Sequence, residues 1–132
     1  MSTSPLVVDR DLPVGELIGF MQAHKVSACP VVEEGGRLFG IVSRLDLLRT
    51  LRPTPEHPPM NPERFRQLTV RDVARYGVVT VTPADPLGLA ADRFLETRLH
   101  VLPVVESGDT GPVVVGIISQ GDVLRRLLRP DP

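Results

Sequence analysis

Two serine–aspartate pairs are the residues best placed to do chemistry. Ser43 and Asp46 follow the apolar run Gly40-Ile41-Val42, and Ser119 and Asp122 follow Gly116-Ile117-Ile118. Each pair opens an amphipathic run with arginines, Arg44 to Arg49 in the first and Val123 to Arg126 in the second. A serine at a helix mouth sets a hydroxyl beside free backbone N–H groups. With the helix dipole these favour an anion by about 0.3–1 kcal/mol at an exposed site. The aspartate lies one turn in, on the same side, and its carboxylate accepts two hydrogen bonds, which is what a ribose 2′,3′-diol requires. Serine on phosphate and aspartate on ribose would together hold a nucleotide. The same spacing is also a capping motif that needs no ligand. Spacing alone leaves both readings standing, and they are compatible.

The other polar side chains each carry two readings. Arg44 could reach a phosphate as a planar fork or simply be solvated. His100, ahead of Val101-Leu102-Pro103, is either a surface residue or a cation beside a phosphate. Cys29 precedes Pro30 in an apolar run and reads as a core thiol. His24 and His57 have no acid or cysteine at ligand spacing, so no metal site is expected. Arg125, Arg126 and Arg129 read as a solvated basic face on the last helix. Neither serine has an adjacent base, and no Gly-x-Ser-x-Gly or Gly-x-x-x-x-Gly-Lys occurs, so no catalysis is expected.

These side chains need strands and helices to position them. Residues 1–5 read as a frayed start and Leu6-Val7-Val8 as a short β-prone run. A helix starts at Asp11-Leu12-Pro13, with Val14, Leu17, Ile18 and Met21 at helical spacing to about Lys25. Cys29 to Val32 is a strand, Glu33 to Gly36 a turn, Arg37 to Val42 the returning strand, and Ser43 opens a helix to about Leu51. Pro53, Pro55, Pro58, Pro59 and, just beyond, Pro62 leave no helix or central strand expected over 52–61, and 52–69 reads as an ordered or semi-extended Pro-rich linker. Thr69-Val70-Arg71-Asp72 looks like a capping box for a short helix stopped by Gly77, and Val78 to Val81 a strand. Asp85-Pro86 then opens a helix carrying Leu87, Ala90, Ala91, Phe94 and Leu95.

From there the first half returns. Leu102-Pro103-Val104-Val105-Glu106 answers Cys29-Pro30-Val31-Val32-Glu33, offset by 73 at the prolines (30 to 103) and 76 at the glycines (40 to 116). The mismatch falls in a turn, where added length costs little loop entropy. The expected architecture is α+β: tandem β-α-β-β-α repeats, 6–51 and 70–128, packed about a pseudo-two-fold axis because neither buries its sheet alone.

Composition narrows the function. The chain has 132 residues, room for one ordinary domain, and a net charge of −1, so no global field attracts nucleic acid or an acidic membrane. Trp is absent and there is one Tyr, so stacking platforms for single-stranded nucleic acid are scarce. One cysteine rules out an internal disulfide and fits a reducing compartment. With no leader pattern and no window near about 20 apolar residues, a cytoplasmic protein off the membrane is expected.

The duplicated pattern apolar-Pro-Val-Val-acid, glycine turn, then Gly-Ile-Val/Ile-Ser-x-x-Asp resembles a CBS-domain pair, or Bateman module, over about residues 6–51 and 70–128. The first unit lacks the short leading helix that Val70 to Tyr76 gives the second, which implies a first strand that is short or propped by a partner chain. The resemblance implies two clefts, each completed by the opposite repeat. One would join Ser119, Asp122 and His100 to Val26, Ser27, Ala28 and the strand around Val8. The other would join Ser43, Arg44 and Asp46 to Leu99, His100 and Val101 and to Thr80 and Thr82. It further implies an adenosine-containing ligand (AMP, ADP, ATP, S-adenosylmethionine or NAD) whose binding biases the repeats' relative orientation. A partner, such as a regulated enzyme or transporter, would read that shift. It implies a homodimer as well, a flat disc of four repeats. The alternative function is a structural dimerisation module with no small-molecule ligand. With no catalytic or transport domain of its own, the chain either acts on another polypeptide or is an excerpt of a longer one.

Overall fold

Valine pairs set the frame. The computed structural model describes residues 6–53, 55 and 61–128. In it β1 (Val8–Asp9) runs parallel to β2 (Ala28–Glu33), with Val8 opposite Val31. In the second repeat Val81 makes a parallel bridge to Val104. Both partners are displaced by the interval that separates Pro30 from Pro103. β2 pairs antiparallel with β3 (Arg37–Ser43), and β4 (Val101–Gly108) with β5 (Gly111–Ser119). The two hairpins break register at equivalent points, Val31/Val32 and Val104/Val105. β3 adjoins β5 through Arg37 and Val113, giving the order β1-β2-β3-β5-β4. With Val81 beyond β4, that order reads alike from either edge. The chain is thus two β-α-β-β-α units about a pseudo-two-fold axis, an α+β architecture.

The helices repeat as closely. α1 (Val14–His24) and the fifth helix, α5 (Leu87–Thr97), start behind Pro13 and Pro86, whose missing N–H is no loss there. They end on the left-handed residues Lys25 (φ 55°) and Arg98 (φ 59°). α2 (Arg44–Leu51) and the sixth, α6 (Gln120–Leu128), follow β3 and β5 without a loop.

Two expectations are corrected. The strand at Val78 to Val81 contracts to one bridged residue, because the next amide, that of Thr82, donates to the Asp85 carboxylate (2.7 Å) and turns the chain toward α5. The linker does hold helix: α3 (Pro62–Gln67) starts behind Asn61, whose side chain accepts from the Arg64 amide at 2.8 Å. Pro62 sits at its first position, where proline is favoured. The residues expected as a frayed start, 1–5, and also His57, Pro58, Pro59 and Arg129, lie outside the described residues.

The short helix α4 (Val70–Val73) has the capping box read from Thr69 and Asp72, yet its apolar face joins the first repeat. Val70, Val73 and Phe65 lie in one core with Val14, Leu17, Val31 and Val42. Backbone bonds fasten this strap: Val14 N to Leu68 O (2.7 Å), Val70 N to Leu12 O (2.8 Å), and a two-way pair between Ile41 and Arg75 (3.0 and 2.8 Å). The second repeat closes its own core from Val81, Ala90, Phe94, Leu102, Val104, Ile118 and Val123.

Cys29 sits in the first core, and burial pushes its thiol up to about 12. Only thiolate attacks a disulfide reagent. Folded protein at pH 8 (a roughly neutral assay pH, far below that value) should therefore leave an aromatic disulfide reagent unreacted. Denaturant should release one equivalent of colour, and prompt reaction without it would contradict this burial.

Candidate functional site

Both serine–aspartate pairs are helix caps. In the first, the Ser43 amide and hydroxyl donate to Asp46 Oδ2 at 2.8 and 2.9 Å, and the Asp46 amide returns a bond to Ser43 Oγ at 3.2 Å. In the second, the Ser119 amide donates to Asp122 Oδ2 (2.8 Å) and the Asp122 amide to Ser119 Oγ (3.0 Å). Each aspartate also takes the arginine one turn on, Arg49 Nη1 on Asp46 Oδ1 (3.1 Å) and Arg125 Nη2 on Asp122 Oδ1 (2.6 Å). The capping reading is therefore realised twice. Arg125 is an ion-pair partner as well as part of the basic face.

The two carboxylates part company in what lies over them. Asp46 has a second guanidinium, Arg75 Nε at 3.0 Å on Oδ1, and its side chain is 3% exposed. Asp122 has Arg125 alone among the described ion pairs, and its side chain is 24% exposed. It opens on a cavity of about 290 Å³ with Thr82, Ala90, Ile118 and Arg126.

A separate cleft of about 350 Å³ lies between the repeats. Lys25, Val26, Ser27 and Ala28 line one side, and His100, Val101, Ile117, Ser119 and Gln120 the other. Ser119 thus faces the inter-repeat cleft while Asp122, on the same cap, faces the neighbouring cavity. A volume in this range suits a small organic ligand. The cleft's two loops are tied to the helix starts in matching fashion, Arg44 N to Ser27 O (3.0 Å) and Gln120 N to His100 O (3.1 Å).

Of the expected cleft sets, Ser119, His100, Val26, Ser27, Ala28 and Val101 come together. Val8 does not join them; it is 4% exposed and packed in the first core. Thr82 faces Asp122 rather than Asp46, because Val81 is held beside β4 of its own repeat. Thr80 is half-buried just ahead of that bridge, and Leu99 packs against the second core. Arg44 is exposed and lines a groove with Lys25 and Ser27 on the α1–α2 face. Sequence reasoning missed Lys25, Arg49 and Arg75. Arg49 and Arg125, each three residues past its aspartate, carried a repeat signal that could have been found.

Comparison with known proteins fits this duplicated frame. The family model described as CBS domain matches residues 1–53 and 70–129. The chain belongs to the CBS-domain family. The pair is 32% identical over 124 residues to the "5'-AMP-activated protein kinase subunit gamma-3" of Sus scrofa, covering 92% of this chain and 23% of that one. The chain spans about a quarter of the length of the kinase gamma subunits it matches. The solved "CBSX2 in complex with AMP" superposes with a TM-score of 0.72 at 27% identity, over 94% of this chain and 90% of that one. The CBS domain of a membrane protein from Sphaerobacter thermophilus gives 0.67 at 31%, over 93% and 82%. Among the described residues of this CBS pair, no helix is long and apolar enough to cross a membrane. Nor do three His, Cys, Asp or Glu side chains converge as a metal site.

The open cap of the CBS pair has a pH signature. Burial pushes the Asp122 carboxyl up, but the Ser119 amide and hydroxyl and the Arg125 guanidinium outweigh it and hold it below its ordinary 3.8. A depressed folded value contributes stability above the unfolded value and loses it as pH falls through the folded one. Melting temperatures should therefore fall on acidification below about pH 4, less steeply for Asp122→Asn than for the wild type. Parallel curves for the two proteins would contradict the assignment.

Proposed function

We propose that this CBS pair is a non-catalytic regulatory module that binds an adenosine-containing ligand, with AMP the first candidate, ahead of ADP, ATP, S-adenosylmethionine and NAD. The observation that carries the reading is the second cap, where the partly exposed Asp122 and the cleft-facing Ser119 stand side by side. Asp122 offers the ribose acceptor, and Ser119, His100 and Lys25 line a cleft for the phosphate. Arg125 is 65% exposed and free to swing aside as a diol arrives. The AMP complex of CBSX2 and the resemblance to kinase gamma subunits support the ligand class. The module comprises repeats 6–51 and 70–128 and acts in the cytoplasm. Ligand would change the angle between repeats, and a partner enzyme or transporter would read it. Calorimetry and thermal shift with the five ligands test this: a saturable heat and a raised melting temperature with AMP are expected. No heat and no shift at millimolar concentrations with all five would refute it.

A second reading, a dimerisation module without ligand, has its own observation. Leu95, Leu124, Leu127 and Leu128 on α5 and α6 are 79%, 63%, 69% and 83% exposed, an apolar face that a second copy would cover to form a disc of four repeats. Light scattering should give a dimer, and Leu124→Glu with Leu127→Glu a monomer. A wild-type monomer sinks the disc. A dimer indifferent to all five ligands favours this second reading over the first.

A further inference from the structure

The two repeats match in strand register, helix caps and the arginine one turn past each aspartate, so a further cation on one of the aspartates is informative. That cation is Arg75. It belongs to the chain segment leading into the second repeat, yet its backbone is bonded both ways to Ile41 of β3. Gly40 permits the approach, since a Cβ there would stand 2.3 Å from the Arg75 carbonyl oxygen. Its side chain then lies on Asp46 Oδ1, beside Arg49. With both donors of Ser43 on Oδ2, the carboxylate has four charge-assisted or cap bonds. Arg75 and Arg49 are 47% and 57% exposed over a carboxylate 3% exposed, so the guanidinium groups are the layer between Asp46 and water. Among the described residues nothing takes the place of Arg75 over Asp122.

We infer that Arg75 is an internal occupant of the first repeat's site: its guanidinium takes the acceptor a ribose diol would need, leaving the pair one nucleotide site in place of two. This rests on the proposed nucleotide reading. A bound diol at Asp46 would have to displace a cation held by its own backbone strap, and that cation is always present at high effective concentration. At Asp122 the competing arginine, Arg125, lies one turn on along the aspartate's own helix.

The test is calorimetric stoichiometry with AMP on the whole chain. The wild type should bind one AMP per chain. Arg75→Gln keeps the backbone pair with Ile41 and a side chain of similar reach while removing the charge, and should bind two. Arg75→Ala is the second variant, and Arg75→Lys, which keeps a cation, should stay at one; circular dichroism melts establish that each is folded. Two sites in the wild type, or one in both folded Arg75→Gln and Arg75→Ala, would overturn the inference while leaving the nucleotide reading intact. A wild type that binds nothing while Arg75→Gln binds one AMP would keep the inference and place the failure at Asp122. No binding by any variant defeats both.

Discussion

Asp122→Asn should weaken AMP binding by about tenfold to a hundredfold, while Asp46→Asn should leave it within about twofold and instead destabilise the fold. A hydrogen bond to a charged group is worth about 1.5–3 kcal/mol, and each 1.4 kcal/mol is a factor of ten in affinity. Asp122 has the exposure to spend such a bond on a ligand; Asp46, under Arg49 and Arg75, does not. The loss at Asp46 is structural: a capping box worth about 0.5–2 kcal/mol and two ion pairs, discounted because both arginines are half in water. About 1–3 kcal/mol is expected, read as an earlier urea midpoint. The same four-residue motif would then show opposite phenotypes in its two copies. Equal affinity losses for the two variants would refute the asymmetry, and an unchanged affinity for Asp122→Asn would remove Asp122 from the site.

Gly40→Ala is the largest stability effect to expect from a single added methyl group. The new Cβ would fall 2.3 Å from the Arg75 oxygen and 3.2 Å from its carbonyl carbon, and both belong to backbone that cannot rotate away. Either β3 bends or the strap lifts. Lifting breaks the two Ile41–Arg75 bonds and withdraws Arg75 from Asp46. Overpacking costs about 1–3 kcal/mol, and the broken pairing adds to it, for about 2–4 kcal/mol in all. At roughly 4 °C per kcal/mol for a chain of this size, the melting temperature should drop by about 10 °C. Gly88→Ala is the matched control: it lies in α5 with nothing within 4 Å of its would-be Cβ, and alanine there should be neutral or stabilising. If Gly40→Ala melted with the wild type, the strap would not sit where described.

The pieces legible in the sequence were those whose cause is local or duplicated. Ser43 and Asp46 are three residues apart, and a cap depends on nothing further away. Pro30 and Pro103 exposed the repeat because the same fold reads the same residues twice. What escaped had distant causes. Arg75 meets Asp46 across the start of the second repeat, and no periodicity marks it. Thr82 was assigned to the opposite cleft because which cleft it meets depends on which strand Val81 pairs with. In 52–69 the number of prolines outweighed the one that mattered, Pro62, which opens α3 rather than forbidding it and so delivers Phe65 to the first core. The basic face read at Arg125 overlooked that a helix brings residues three apart together, here onto Asp122.

The strap also puts the period of the sequence out of phase with the unit that can be inherited. A crossover at the apparent boundary between repeats would carry Phe65, Val70 and Val73 away with the wrong half and leave Val14 and Leu17 without their lid. The seam that keeps both cores whole lies beyond Arg75, so the exchangeable cassettes are unequal: a longer first piece that takes the strap with it, and a second that begins near Val81.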